Sequence, residues 1–108
     1  MILTLQNDGV LRVYTSVEDA VHDVEALDAD ETLRAVFNDS GETYAIRWIR
    51  PNERGRFTVA NGSYTLVPQN KRDIPALLRL LRETKLVDPP DAQDQLKELE
   101  RRLTLSRG

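Results

Sequence analysis

At 108 residues with 40% hydrophobic residues, the chain can bury one core and is too short for two domains of ordinary size. The absence of cysteine excludes disulfides, thiolate nucleophiles and thiolate-bound metals, and the net charge of −3 disfavours a polyanionic partner. The amino terminus lacks the features of a signal peptide, and no apolar run approaches the roughly 20 residues that span a bilayer. We expect one globular domain over residues 1–108, located in the cytoplasm.

The first part of the chain predicts a β-hairpin followed by an amphipathic helix. Ile2–Gln6 and Val10–Tyr14 are β-prone runs on either side of an Asn-Asp-Gly sequence, whose residues tolerate the positive φ of tight turns. Ser16 is a candidate N-cap, and apolar residues recur after it at helical spacing. These signals predict a helix over about Val17–Leu27.

The middle of the chain predicts four more strands. Leu33–Asn38 and Thr43–Arg50 surround a turn-rich Asp-Ser-Gly-Glu sequence and predict a second hairpin. Arg56–Ala60 and Tyr64–Val67 predict a third strand pair around an Asn-Gly-Ser sequence. We therefore expect an antiparallel sheet of about five to six strands.

Alternation along the fourth strand predicts two different faces. Tyr44, Ile46 and Trp48 are expected on one face and Arg47 on the other. In the next predicted strand, Phe57 and Val59 are expected opposite Arg56 and Thr58. One face of the sheet is therefore expected to contact the core and the other to contact solvent.

The last third of the chain predicts two helices. Asp73 is a plausible N-cap, and an apolar stripe after it predicts a helix that ends near Leu86. An Asp-Pro-Pro-Asp break follows, and leucines at spacings of three and four then predict a third helix over about 91–105, which packs on the sheet beside the second helix or, as the alternative, is peripheral. The expected fold class is α+β in the order ββα-ββββ-αα, with the helices packed on one face of the sheet.

The only histidine, His22, is the first place to look for chemistry. It lies one turn from Glu18, Asp19 and Glu25 on the predicted helix, where these groups could bind a weak divalent metal or serve a small enzyme. All these ligands would lie on one solvated helix, without a second element to close the site, so a solvated face is the better interpretation. The five glycines are dispersed and form no phosphate-binding loop. We predict no catalytic residue, metal or cofactor.

A basic region supports an alternative function. Arg47, Arg50, Arg54 and Arg56 cluster around one predicted strand pair, near aromatic residues that could stack on bases. This region could serve a nucleic-acid-binding or small regulatory domain. The alternation described above separates Trp48 from Arg47, and the chain as a whole is acidic, so nucleic acid is the weaker hypothesis.

The acidity belongs to one segment of the chain. Residues 1–32 carry eight acids and one base, whereas residues 33–70 and 71–108 each have a net charge of +2. Seven acids between Glu18 and Glu31 repel one another, so folding gains nothing obvious from them. We therefore expect them to steer a basic partner, and the alternative is that this acidic surface keeps the protein soluble. The candidate partner-binding residues are Tyr14, Glu18, Asp19, His22, Asp23, Glu25, Asp28, Asp30 and Glu31.

Two segments carry a family resemblance. Residues 13–28 (VYTSVEDAVHDVEALD) followed by residues 35–42 (AVFNDSGE) resemble small immunity proteins of bacterial polymorphic toxin systems. In that pattern, a strand ending in tyrosine leads into an acidic helix and then into a strand with an Asp-x-Gly turn. The resemblance implies a cytoplasmic protein that neutralises a cognate toxin by direct stoichiometric binding. A small-molecule substrate and a membrane are not expected.

Overall fold

The computed structural model of the chain describes residues 1–26, 28–54, 59, 60 and 62–107. Its helices and strands are β1 (Ile2–Gln6), β2 (Val10–Tyr14), α1 (Val17–Asp23), α2 (Ala29–Thr32), β3 (Leu33–Asn38), β4 (Glu42–Arg50), β5 (Glu53–Arg54), β6 (Val59–Ala60), β7 (Ser63–Arg72), α3 (Ile74–Glu83), β8 (Leu86–Asp88) and α4 (Gln93–Arg107), with a short 3-10 helix at Pro90–Ala92. Within this described part, no helix is both long and apolar enough to cross a bilayer.

One six-stranded sheet organises the fold, in the order β7-β4-β3-β1-β2-β8. Every neighbouring pair is antiparallel except β2 and β8, which run parallel. The strands β5 and β6 form a separate two-stranded ribbon between β4 and β7. The predicted α+β class and the largely antiparallel sheet are confirmed.

The helices lie on both faces of the sheet, which corrects the prediction of a single covered face. Ile2 belongs to an apolar cluster with Ala20 and Ala29 of the first two helices. Its neighbour Leu3 belongs to a second cluster with Leu77 and leucines of α4. Because successive strand residues point to opposite faces, α1 and α2 cover one side of β1, and α3 and α4 cover the other.

The predicted alternation in β4 is confirmed. Tyr44, Ile46 and Trp48 pack against the cluster under α1 and α2, whereas Arg47 is exposed. Ile49, at the register shift between Trp48 and Arg50, is 69% exposed. The second face of β4 is therefore open to solvent, because α3 and α4 cover only the part of the sheet from β3 to β8.

The first predicted helix is shorter than expected. It ends at Asp23, and Val24 has an extended backbone conformation. The chain then turns and forms α2, which buries Ala29 completely. Leu27, the predicted last residue of the helix, lies outside the described residues. The break lets the alanines on both sides of the turn reach the core.

The third predicted strand pair is wrong in its pairing. The strand β7 pairs with β4 over almost its whole length, from Arg50 opposite Ser63 to Glu42 opposite Arg72. The short strand β6 pairs instead with β5. The predicted faces of residues 56–58 lie outside the described residues.

The C-terminal region differs from the prediction at one point. Helix α3 ends at Glu83, and Leu86–Asp88 form the edge strand β8 rather than the end of that helix. The predicted third helix is present as α4, and its leucines Leu96, Leu99 and Leu103 are buried in the second cluster. This helix therefore contributes directly to the core.

Candidate partner-binding surface

The acidic residues of α1, of α2 and of the turn between them are exposed to solvent. Helix α1 begins after Ser16, whose hydroxyl accepts a hydrogen bond of 3.2 Å from the amide of Asp19. Acids in the first turn are favourable there because they face the positive end of the helix dipole. We use the name acidic surface for the seven exposed carboxylates Glu18, Asp19, Asp23, Glu25, Asp28, Asp30 and Glu31.

Side chains from β7 and from the segment after β4 donate hydrogen bonds to the turn between α1 and α2. The hydroxyl of Tyr64 donates a hydrogen bond of 2.6 Å to the Val24 carbonyl. The side-chain amide of Asn52 donates to the Ala26 carbonyl at 2.8 Å, and its oxygen accepts from the Gly62 amide at 2.8 Å. These bonds satisfy the Val24 and Ala26 carbonyls in the turn after α1, and they fix the middle of the acidic surface.

None of the seven carboxylates forms an ion pair with a described lysine or arginine. The one base in their part of the sequence, Arg12, is already engaged by Asp8 at 2.8 Å and Asp88 at 3.6 Å. The negative charge of the acidic surface is therefore not neutralised by these residues. Such a surface attracts cationic groups and repels anionic ones.

A polar network connects the acidic surface to the first hairpin. The Tyr14 hydroxyl donates to Asp23 Oδ2 at 2.5 Å and accepts from Gln6 Nε2 at 3.2 Å. Gln6 also donates to Thr4 and accepts from Arg12, both at 3.0 Å. Because Thr4 and Gln6 are buried, the network extends from the solvent-exposed Asp23 into the interior.

Two tyrosines beside this surface keep their protons to unusually high pH. Partial burial, followed by the hydrogen bond to Asp23, raises the pKa of Tyr14 from 10.0 to about 12. Burial and the charge of Asp23 raise the pKa of Tyr64 from 10.0 to about 12. Both phenols are therefore neutral donors near pH 7.

A groove runs between α1 and the residues that follow β8. It encloses about 360 Å³ and is bordered by Tyr14, Asp19, His22, Asp23 and Pro89. A second cavity of about 360 Å³ continues on the other side of Tyr14 and Pro89. The half-buried ring of Tyr14 thus lines a groove that is also bordered by the carboxylates of Asp19 and Asp23 and by the Arg12 side chain, which is paired with Asp8 and Asp88.

The enzyme hypothesis for His22 lacks a second positioned group. His22 is exposed, and within the described residues it forms no hydrogen bond with Glu18 or Asp19. Asp19 instead accepts a hydrogen bond of 2.5 Å from the Thr15 hydroxyl. The described part of the chain also contains no group of three histidine or carboxylate side chains able to hold a metal ion.

The basic region offers little for base stacking in its described part. Trp48 packs against Tyr64 with ring centroids 5.7 Å apart, on the face covered by the first two helices. Arg47 is on the opposite face, as predicted. The side chain of Arg54 and the whole of Arg56 lie outside the described residues.

The sequence predicted Tyr14 and the acids as candidates but did not predict the residues that connect them in the structure. Gln6 was assigned only to a strand, although alternation with Ile2 and Thr4 placed a polar side chain on an inward position. An inward glutamine needs polar partners, which is a usable signal. No sequence signal predicted the ion pair of Asp88 with Arg12, because this contact depends on the pairing of β8 with β2.

Comparison with protein-family models, with curated proteins and with solved structures finds no match for this chain.

Proposed function

We propose that the chain is a non-catalytic protein-binding module whose acidic surface binds a basic protein, and that it acts as an immunity protein that neutralises a bacterial toxin. One observation carries the proposal of binding: the seven exposed carboxylates of α1, α2 and the turn between them have no ion-pair partner among the described residues. Like charges on a helix cost stability, so binding gives their retention a physical reason.

The groove beside Tyr14 supports a division of roles within this surface. Carboxylates on the rim would steer a cationic partner and raise its association rate. The tyrosine ring would give a central contact, since buried aromatic side chains commonly supply most of the binding energy of an interface. Inhibition would follow from coverage of the partner's active site and requires no reaction at the acidic surface.

The choice of a toxin as the partner rests on the resemblance of residues 13–28 and 35–42 to small immunity proteins. That pattern places the tyrosine at the end of a strand and the acids in the following helix. In the structure, Tyr14 ends β2 and α1 follows it. This order of elements is compatible with that family. The comparison uses the order alone and assigns no single residue as a contact.

A pull-down from a lysate of the source cells tests the proposal. The acidic-surface variant carries lysine at Glu18, Glu25, Asp30 and Glu31, which are exposed and form no side-chain hydrogen bond with described residues. The matched control carries lysine at Asp39, Glu83, Asp94 and Glu98, which are exposed acids elsewhere. Both variants change the net charge from −3 to +5.

We expect a basic protein to bind the wild type and the control but not the acidic-surface variant. Expression of that protein alone should then stop growth, and co-expression of the wild-type chain should restore it. Equal capture by both variants would exclude the acidic surface as the contact. A captured partner without toxicity would leave a binding module and remove the immunity function.

A further inference from the structure

The cavity on the far side of Tyr14 and Pro89 lies between the first hairpin and the start of α4. It encloses about 360 Å³, and we call it the Tyr14 cavity. Most of its walls are apolar and come from Met1, Val13, Tyr14, Pro89 and Ala92. The polar residues that also line it, among them Gln95, are exposed, so the cavity opens to solvent.

The size of the Tyr14 cavity suits a side chain of a macromolecular partner. Pockets for drug-sized ligands enclose about 300–1,000 Å³ and bury most of the ligand surface. The Tyr14 cavity has a volume of about 360 Å³, at the low end of that range, and it is open on one side. Protein interfaces gain much of their binding energy from apolar or aromatic side chains inserted into pockets of this kind.

The Tyr14 cavity is continuous with the groove beside α1, because Tyr14 and Pro89 line both. The charged side chains of the groove are three carboxylates and one guanidinium, namely Asp19, Asp23, Asp88 and Arg12. That guanidinium is already paired with Asp8 and Asp88, so the groove has a net negative charge. A partner residue in the Tyr14 cavity would therefore have its own neighbours at an anionic groove, which favours basic neighbours.

Two of the groove carboxylates are oriented from within the chain and keep an oxygen for a ligand. Asp23 Oδ2 accepts a hydrogen bond from the Tyr14 hydroxyl, and Asp19 Oδ2 accepts one from the Thr15 hydroxyl, both at 2.5 Å. Neither Oδ1 atom has a hydrogen-bond partner among the described residues. Because Asp19 and Asp23 are one turn apart on α1, a guanidinium can donate to both and lie flat beside the Tyr14 ring. A lysine ammonium lacks this planar set of donors.

We propose that the Tyr14 cavity binds a large apolar side chain of the basic partner, and that a neighbouring arginine of the partner binds between Asp19 and Asp23. This inference rests on the proposed function, because it specifies which side chains of the basic protein contact this chain. The apolar residue supplies buried area, and the arginine supplies charge complementarity. The remaining carboxylates of the acidic surface then act at longer range.

Selection from a displayed library of random twelve-residue peptides tests the proposal, with the full chain as target. We expect enriched peptides to carry an arginine close to a large apolar residue. Bound peptide should shift the NMR signals of the Val13 and Ala92 amides at the cavity and of the Asp19 and Asp23 amides at the groove.

Two results of the selection would overturn the inference. Enriched peptides could be basic without an apolar residue and shift only the amides of α1 and α2. That result would leave the acidic surface as the contact and remove the Tyr14 cavity from it. The absence of any enriched basic peptide would also overturn the inference, and the pull-down would then decide the proposed function by itself.

Two variants and one altered peptide make the test specific. Gln95→Trp places a large side chain at the Tyr14 cavity and should weaken binding of the enriched peptides about tenfold. Leu105→Trp, an uncharged change at another exposed position of α4, should leave the affinity unchanged. Citrulline in place of the peptide's arginine keeps the shape without the charge and should also weaken binding about tenfold.

Equal affinity of the Gln95→Trp and Leu105→Trp variants would overturn the role of the cavity, and undiminished binding of the citrulline peptide would overturn the role of the arginine. Gln95→Trp leaves all seven carboxylates of the acidic surface in place. If this variant still captured the basic protein as well as the wild type does, the inference would fail while the proposed function stood.

Discussion

The hydroxyl of Tyr14 lies 2.5 Å from Asp23 Oδ2, and this hydrogen bond joins the last residue of β2 to the last residue of α1. The bond connects a buried polar network to the acidic surface. It also orients one carboxylate on the rim of the groove.

Tyr14→Phe should lower the free energy of unfolding by about 1–2 kcal/mol at pH 7, because it removes the hydrogen bond to the Asp23 carboxylate and the one accepted from Gln6. Urea unfolding followed by circular dichroism measures the change. Tyr44→Phe is the control, since the Tyr44 hydroxyl makes no hydrogen bond with a described residue. An equal loss in both variants would show that the Tyr14–Asp23 bond contributes nothing to stability.

Stability should fall between pH 10 and pH 12. The pKa of Tyr14 and of Tyr64 is raised to about 12 in the folded chain, whereas the ordinary value is 10.0. In this range the folded state holds protons that the unfolded state has lost, so the stabilisation is complete below pH 10 and disappears as pH rises toward 12. Urea unfolding at successive pH values should show a shallower fall in Tyr14→Phe and in Tyr64→Phe. An unchanged slope in either variant would contradict the assignment for that tyrosine.

Asn52→Ala should lower the free energy of unfolding by about 2 kcal/mol, because it removes the bonds to the Ala26 carbonyl and the Gly62 amide. Asn52→Asp keeps an acceptor for Gly62 but places a carboxylate oxygen against the Ala26 carbonyl oxygen, and these two acceptors repel each other, so it should cost at least as much. Thermal and urea unfolding of both variants provide the comparison. A clearly smaller loss in the aspartate variant than in the alanine variant would contradict the role of the bond to Ala26.

Gly41→Ala should be more destabilising than Gly9→Ala. Both glycines have positive φ, which penalises any side chain, but a Cβ at Gly41 would also lie 2.9 Å from Ile74 Cγ1, whereas one at Gly9 would meet nothing within 4 Å. We expect losses of about 2 kcal/mol and about 1 kcal/mol respectively. Equal losses, measured by urea unfolding, would mean that Ile74 moves aside without cost.

Leu99→Ala should lower the free energy of unfolding by about 3 kcal/mol, because Leu99 is 1% exposed in the cluster that joins α4 to the sheet. Leu105→Ala, in the same helix but 67% exposed, should change it by less than about 0.5 kcal/mol. Calorimetric unfolding distinguishes the two. Similar small effects would mean that α4 does not belong to the cooperative core.

The sequence predicted those elements whose signals are local. The hairpin of β1 and β2, the start of α1 at Ser16 and the faces of β4 follow from turn residues, capping and alternation, and all three agree with the structure. Helix α1 ended early because Val24 turns toward partners that lie 40 residues away in the chain, at Tyr64. No pattern within a helix contains that information.

Two other errors have the same origin. The strand β8 has three residues, too few for an alternation pattern, and exists because β2 offers it an edge. The helices were expected on one face because the sequence does not reveal which side of a sheet a later helix will reach. The acids of the candidate site were predicted from composition, whereas the Gln6 and Arg12 connections required the register of β1 against β2.

The parallel pairing of β2 with β8 also constrains how the chain folds. Leu11 in the first hairpin lies opposite Val87, so about 70% of the polypeptide separates these partners. Closure of so long a loop is entropically costly and slow, whereas the hairpins can form from neighbouring residues. The N-terminal hairpin therefore remains an open-edged template until the C-terminal region arrives, and premature association at that edge is the main hazard during synthesis.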